Sequence, residues 1–510
     1  MCPESQILTA ELAQQHGAPQ SQESPSLAGL AQHIQEESER LLAEHDDVSL
    51  TQHKVLNTLL PYIEPVDFRV EAGLESDKEP LKQKHYLVTI VRKVRALAQQ
   101  HGYGLRQRDQ SIYVFNGAFW ERLSKDELSL FLREAAERMG VKPCDARYHL
   151  FKDNLLLQFL SDGYQAPPER RTDEVKLNLQ NGTLVITSEG QQLKPFDDAD
   201  FLTYQLPYAH DPIARAPRFN AFLARVLPDL ECQRVLAEFI AYLFVLTGTL
   251  KLEKALLLYG SGANGKSVFF EIISALLGEE NTCNYSLQSL TDGRAYYRAN
   301  LADKLVNYVS EVNGKFDTNA FKQLVSGEPI EARLPYGQPF VMKEYAKFIG
   351  NCNELPTDVE QTDAYFRRFI LVPFAVTIPE GERDPQLSTT ITATELPGIL
   401  NWVLDGLHRL LAQRNFSPCE ASRRQVEEFQ KQADSVRLFL DEEGYQPDPE
   451  RWLTHQELFS RYKNYCTENL STPVAGKNFR KRMERAGFAY FRKSAGFAIR
   501  AARIVPMSDN

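Results

Sequence analysis

Seven cysteines, at positions 2, 144, 232, 283, 352, 419 and 466, never come close enough to form a Cys-x-x-Cys pair. Their scatter excludes a zinc ribbon and a disulfide framework, and it fits a reducing cytosol. Long apolar runs are missing, and the first residues lack a basic stretch followed by an apolar one. Neither a membrane span nor a secretory leader is expected, and the expected location is cytoplasmic, without a membrane partner. Basic residues are scarce at one end and acidic residues at the other. Residues 1–50 hold nine acidic residues and one basic one, Arg40, whereas residues 472–503 hold nine basic residues and one acidic one, Glu484. The formal net charge of −10 therefore averages an acidic head and a basic tail, and it excludes a uniformly cationic surface. Charged and apolar fractions of 25% and 43% are those of a globular chain, and 510 residues leave room for roughly three to four domains.

The most informative stretch is 255–267, Ala-Leu-Leu-Leu-Tyr-Gly-Ser-Gly-Ala-Asn-Gly-Lys-Ser. Ala255 to Tyr259 is an apolar run of strand length bounded by Gly260, which suits a strand buried on both faces. Gly260, Ser261, Gly262, Ala263, Asn264, Gly265, Lys266 and Ser267 then show the Gly-x-x-x-x-Gly-Lys-Ser spacing of a phosphate-binding loop. From Val268 to Leu277 apolar residues recur at helical intervals, so the loop opens a helix whose unpaired N–H groups and dipole face an anion. Gly262 and Gly265 are expected to let the backbone approach phosphates and adopt positive φ. Lys266 is expected to reach the β- and γ-phosphates of ATP and Ser267 to ligate Mg²⁺, with the loop and Val268 forming the nucleotide-contacting set.

Around this loop the chain divides into regions. Residues 1–100 read as an acidic, partly disordered and partly helical region, with a helical pattern at 27–42 and two more flanking the acidic connector 71–79. Residues 101–170 suggest a small α+β domain, with strands on either side of Asn116-Gly117 and a helix from Lys125 to Met139, ending in a linker at 167–172. In 171–250 a hairpin around Asn181-Gly182 precedes a helical collar expected to pack on the nucleotide domain or form subunit contacts. The nucleotide domain is placed at 251–385, a helical connector at 386–433, and a winged-helix domain at 434–505. The winged-helix reading rests on three helices followed by two strand-like runs, with Lys477, Arg480, Lys481 and Arg485 along the recognition helix facing DNA.

Within 251–385, strands alternating with helices imply a mainly parallel sheet, whose ligands gather at the carboxyl ends of the strands. One strand, 304–310, runs into Glu311, expected to activate or orient the water that attacks the γ-phosphate and a candidate, beside Ser267, for the metal shell. Another, 345–350, runs into Asn353, expected to hold that water or the phosphate. Many P-loop enzymes put an Asp at the metal-holding position of this strand, whereas Ser310 precedes Glu311 here. Arg367 and Arg368 precede a further apolar strand, and an arginine supplied across a subunit boundary stabilises charge on a transferred phosphoryl group. Between the strands, 330–334 and 340–342 are expected to pair as a hairpin that offers Arg333, Tyr336 and Lys343 to a nucleic-acid backbone and its bases.

The order Gly260–Ser267, Val309-Ser-Glu311, Lys322-x-x-x-Ser-Gly-Glu-Pro-Ile-Glu-Ala-Arg333, Asn353-Glu-Leu-Pro356 and Tyr365-Phe-Arg-Arg368 resembles superfamily 3 helicases. Specifically it resembles the phage- and plasmid-encoded primase-helicases related to poxvirus primase-helicase, strongly over 175–385 and more weakly to 505. The resemblance implies an α/β fold with an AAA+-like P-loop ATPase core, assembled as a homo-hexamer that translocates 3′ to 5′ on DNA. It implies Lys266 and Ser267 for nucleotide, Glu311 for hydrolysis, Asn353 as γ-phosphate sensor, Arg367 or Arg368 as the trans-acting finger, and a pore hairpin within 322–343. Larger relatives carry a primase whose metal centre needs closely spaced carboxylates. Residues 1–100 hold no Asp-x-Asp at the end of an apolar strand, so primer synthesis is not expected and a primase would be encoded separately. The expected activity is ATP-dependent unwinding of single-stranded and forked DNA during replication of a mobile element. The alternative is an ATP-regulated initiator or loader that binds DNA without processive unwinding.

Overall fold

The computed structural model describes residues 53–75, 78–108, 111–163, 172–312, 316–334, 337–355, 362–469, 473–494 and 496–504. The expectations for 1–50, for the linker core at 167–171 and for Tyr336 and Pro356 lie outside the described residues.

Two compact units divide the chain, one made of residues up to 90 together with 126–156, the other of 91–125 together with 157 onward. In the first, Asp67 caps the helix Phe68–Glu71 by accepting from the N–H groups of Arg69 and Val70. The helix Lys125–Arg138 buries Leu128, Phe131, Leu132, Ala135 and Ala136 along one stripe, and the N–H of Val66 donates to the carbonyl of Met139 just beyond it. The strands that precede this helix in sequence group instead with the second unit, so the units do not follow the sequence boundaries at 100 and 170.

The second unit begins with an antiparallel meander of β1 (Gly104–Arg108), β2 (Ser111–Phe115) and β3 (Trp120–Leu123). Asn116 makes its turn, accepting from the N–H groups of Ala118 and Phe119. A second meander follows, β4 (Glu174–Leu179), β5 (Gly182–Thr187) and β6 (Gly190–Lys194). Helices Pro217–Val226 and Leu230–Tyr242 then lead into the central sheet.

That sheet contains β7 (Ala255–Tyr259), β8 (Thr282–Cys283) and β9 (Val306–Val309). The hairpin β10 (Ile330–Arg333) and β11 (Pro339–Met342) comes next, with Ile330 opposite Met342, as the sequence indicated. The sheet is completed by β12 (Lys347–Cys352) and β13 (Phe369–Pro373). Its order is β13-β7-β12-β9-β8, and every neighbouring pair is parallel. Burial on both faces explains the unbroken apolar run of β7. Leu256 and Leu258 enter a core shared with the helices 217–226, 230–242, 266–277 and 396–413, while Ala255 and Leu257 enter another shared with 318–325, the hairpin and Phe429 of the helix 420–432.

After helices Leu396–Gln413 and Glu420–Gln432, a separate core gathers around Phe439, Tyr462, Phe479 and Ile499. Helices Ser435–Glu442, His455–Glu468 and Gly476–Arg485 pack there with two small sheets. One pairs β14 (Tyr445–Gln446) with β18 (Ala502–Arg503), and the other orders β15 (Trp452–Thr454), β17 (Gly496–Arg500) and β16 (Tyr490–Lys493) with β17 in the middle. Asp434 and Thr454 cap the first two helices. Among the described residues, no helix is long and apolar enough to cross a membrane.

Candidate nucleotide site

The loop from Gly260 to Lys266 lies between the carboxyl end of β7 and the amino end of the helix Lys266–Leu277. Positive φ falls on Gly260 (155°), Ala263 (59°) and Gly265 (87°) rather than on Gly262, and at Ala263, which carries a Cβ, it costs about 1–3 kcal/mol. Gly265 also faces the helix 217–226 so closely that a Cβ would meet Val226 at 2.8 Å and Phe222 at 3.1 Å. The helix expected to pack on the nucleotide domain therefore rests on the loop itself. Its own amino end is held from far along the chain, because the buried carboxylate of Glu395 accepts from the N–H groups of Arg218 (3.1 Å) and Phe219 (2.9 Å).

Lys266 is buried and folds back on its loop, donating to the carbonyls of Gly260 (2.5 Å) and Ser261 (3.1 Å) and to Oδ1 of Asn264 (3.1 Å). Burial pushes its ammonium below the usual lysine range. The other end of the Asn264 amide donates to the carbonyl of Phe374 (2.9 Å), and the N–H of Ile378 donates to the carbonyl of Ala263 (2.8 Å). The chain leaving β13 thus braces the phosphate-binding loop.

A cavity of about 630 Å³ opens over the loop. Ser310, Asn351 and Asn353, at the carboxyl ends of β9 and β12, line it beside Lys266, Ser267 and Val268. Phe222, Ile378 and Leu387 give it an apolar wall, and Arg218, Arg383 and the ion-paired Arg225 and Glu382 lie along the rim. Glu311 is exposed, one residue past the lining residue Ser310. Burial pushes the Cys352 thiol up to about 12, Lys266 pulls it down and Glu311 adds to the rise, so both charges lie within electrostatic reach of one sulfur at the end of β12.

The site fits a nucleoside triphosphate: loop N–H groups and a lysine for phosphates, an apolar wall for a base, and volume for both. Among the described residues, no group of three or more His, Cys, Asp or Glu side chains is placed to hold a metal unaided. Mg²⁺ is commonly held through substrate phosphates, retained waters and few protein oxygens, and the Ser267 hydroxyl suits that role.

Arg367 and Arg368 stand elsewhere. Both precede β13, whose Phe369 is opposite Ala255 at the amino end of β7, so they lie at the amino ends of the strands, the end remote from the loop. Five residues of strand separate the two ends, about 16 Å at ~3.3 Å per residue. The Arg368 side chain is only 9% exposed and donates to Ser326 Oγ through Nε (3.2 Å) and Nη2 (2.9 Å), and also to the Ala364 carbonyl. The Arg367 side chain is 64% exposed, with Glu253 3.7 Å away.

Of the expected DNA contacts, Arg333 is exposed on β10, donates to the Gly337 carbonyl (2.9 Å) and lies over Tyr296, and Lys343 is exposed just past β11. Lys477, Lys481 and Arg485 are exposed on the helix 476–485. Arg480 is half-exposed, paired with Glu484 (2.9 Å) and lying over Tyr490 and Phe497. The sequence reading missed Arg218, Phe222 and Arg225, although their i, i+4 and i+7 spacing placed them on one helical face.

Residues 94–228 match the family described as D5 N terminal like, and residues 258–368 match a family of unknown function, DUF5906. A protein of Acanthamoeba polyphaga mimivirus named a "putative helicase" is 32% identical over 163 residues. The resemblance to primase-helicases is borne out. That match covers 30% of this chain and 17% of the mimivirus protein, so the chain spans a small part of its relative's length. Two apo structures of the NrS-1 C terminal region align as well. One is 13% identical, with a TM-score of 0.46, covering 84% of this chain and 100% of that one; the other is 14% identical, with a TM-score of 0.47, covering 81% and 98%. The D5-like segment takes in β1 to β6 and the helix 217–226, while the second match runs from the end of β7 to Arg368.

Proposed function

We propose that this chain is an ATP-driven DNA helicase, a homo-hexameric ring that moves 3′ to 5′ along one strand during replication of a mobile element. The observation that carries the reading is the distance between the two halves of the ATP site. The phosphate-binding loop is at the carboxyl ends of the strands and the exposed Arg367 at the amino end of the neighbouring strand, too far apart to share a nucleotide within one chain. A neighbouring copy that brings its Arg367 to this loop completes the site. Arg368, held by Ser326 and Ala364, positions the segment, so Arg367 is the finger.

Mg²⁺-bound ATP supplies a γ-phosphoryl group whose charge is already partly neutralised. Lys266 exchanges its contacts with Gly260, Ser261 and Asn264 for phosphate oxygens, while Asn264 keeps the loop fixed to Phe374. Ser267 would hold the metal through its hydroxyl, and the apolar side chains of Phe222, Ile378 and Leu387 would offer a wall to the base. Glu311 takes the proton of the attacking water, and Asn353 orients that water or the γ-phosphate. Arg367 of the neighbouring copy stabilises the charge that develops.

The helices 217–242 serve as the collar of the ring and 434–504 as a winged helix on the DNA. The hairpin β10–β11 carries Arg333 and Lys343 toward the strand in the pore. The test is unwinding of a forked duplex with ATP. Wild type separates the strands, and Lys266→Ala loses hydrolysis by about 10²–10³-fold or more and unwinding with it. Hydrolysis and DNA binding without strand separation would sink the helicase reading.

A further inference from the structure

The sheet β15–β17–β16 has two unlike faces. Ile499 of β17 turns into the domain core with Leu453 and Tyr490 beside it. Alternation puts Arg500 of β17, Trp452 of β15, and Phe491 and Lys493 of β16 on the other face. There the Lys493 ammonium lies 3.4 Å from the centre of the Trp452 ring and 5.9 Å from that of Phe491. The Arg500 guanidinium covers Phe491 at 4.8 Å, and the two rings meet edge to face at 6.5 Å. Trp452 is 43% exposed, high for the largest apolar side chain. The nearby carboxylate of Asp448 is engaged by the N–H groups of Glu450 (2.7 Å) and Arg451 (2.8 Å), and Arg500 donates to the Glu450 carbonyl.

Aromatic faces interleaved with cations are what a single-stranded polyanion needs. Bases stack on rings without regard to sequence, and each cation meets a phosphate. A cation over an exposed ring contributes only about 0.5–1 kcal/mol, so a base can displace it and send it to the backbone. A duplex keeps its bases stacked inside and cannot use the rings. The occupant is set by charge: residues 472–503 hold nine basic residues and one acidic one in a chain of net −10.

We propose that the outer face of β15–β17–β16, built on Trp452, Phe491, Lys493 and Arg500, is a platform for single-stranded DNA. Trp452 stacks on a base while Lys493 and Arg500 hold the flanking phosphates. The platform is separate from the helix 476–485, and it rests on the helicase reading only for the choice of DNA.

The experiment measures binding of labelled oligothymidine to the full chain by anisotropy, without ATP. Trp452→Leu weakens binding by about 5- to 150-fold, the ~1–3 kcal/mol of one stacked base, while Trp452→Tyr stays near wild type. Lys493→Gln and Arg500→Gln each lower the slope of log affinity against log salt by about 0.7. Of the three tryptophans, Trp120 is buried and Trp402 packs on Phe219 in the main core, so single-stranded DNA quenches wild-type emission through Trp452 and Trp452→Tyr removes that quenching. This measurement decides the matter should Trp452→Leu not fold. Unchanged affinity in Trp452→Leu, absent quenching, or equal losses on duplex DNA would overturn the proposal. None of these bears on ATP-driven unwinding, and failure of unwinding leaves this binding test intact.

Discussion

Arg367 and Arg368 are adjacent in sequence and opposite in character. The buried Arg368 satisfies Ser326 and the Ala364 carbonyl, so Arg368→Ala should lower unfolding free energy by about 2–3 kcal/mol, since it leaves those acceptors without their charged donor. Arg367→Ala should leave the denaturation midpoint unchanged and lower ATP turnover by about 10³-fold or more. Chemical denaturation and steady-state hydrolysis on both variants check the contrast, and a stability loss in Arg367→Ala or normal turnover would reverse the assignment. The sequence placed both arginines before an apolar strand and could go no further, because which of two neighbours is buried depends on Ser326, remote in the chain. Asn264 was legible only as part of a loop pattern. Its second bond, to Phe374, joins residues 110 apart.

At the scale of elements, what sequence showed and what it hid have a common cause. The hairpins with an Asn-Gly turn or a half-buried face were legible, since positive-φ turn residues and period-2 burial leave local marks. So was β7, whose two buried faces require an apolar run. β1 and β6 were not, because β6 is exposed at every position and Gly-Leu-Arg-Gln-Arg of β1 buries only Leu105. β8, two residues long, is set by its pairing with β9, which leaves no pattern in its own sequence. The cap of the helix 217–226 was hidden for the same reason, since Glu395 lies 177 residues from Arg218. That cap matters because the helix rests on Gly265. Glu395→Ala should cost about 1–2 kcal/mol of stability and weaken nucleotide binding, read as a raised KM for ATP with kcat less affected. A fall in kcat at constant KM would show that the helix does not position the loop.

For the whole molecule, the proposed finger and the phosphate-binding loop lie at opposite ends of adjacent strands, so on the proposed reading one chain holds half of each of two sites. Hydrolysis per chain should then rise with protein concentration as copies associate, and a monomer should bind ATP yet turn it over slowly. If the basic tail and the hairpin β10–β11 contact DNA as proposed, they do so outside the ATP site, and single-stranded DNA should then stimulate hydrolysis by the associated chains. The most direct measurement mixes two inactive proteins, Lys266→Ala and Arg367→Ala, and follows ATP hydrolysis. Some junctions in the mixture pair an intact Lys266 from one variant with an intact Arg367 from the other, so activity should reappear and peak near equal proportions. Mixtures that stay as inactive as the separate variants, under conditions in which they co-assemble, would contradict a site shared between chains.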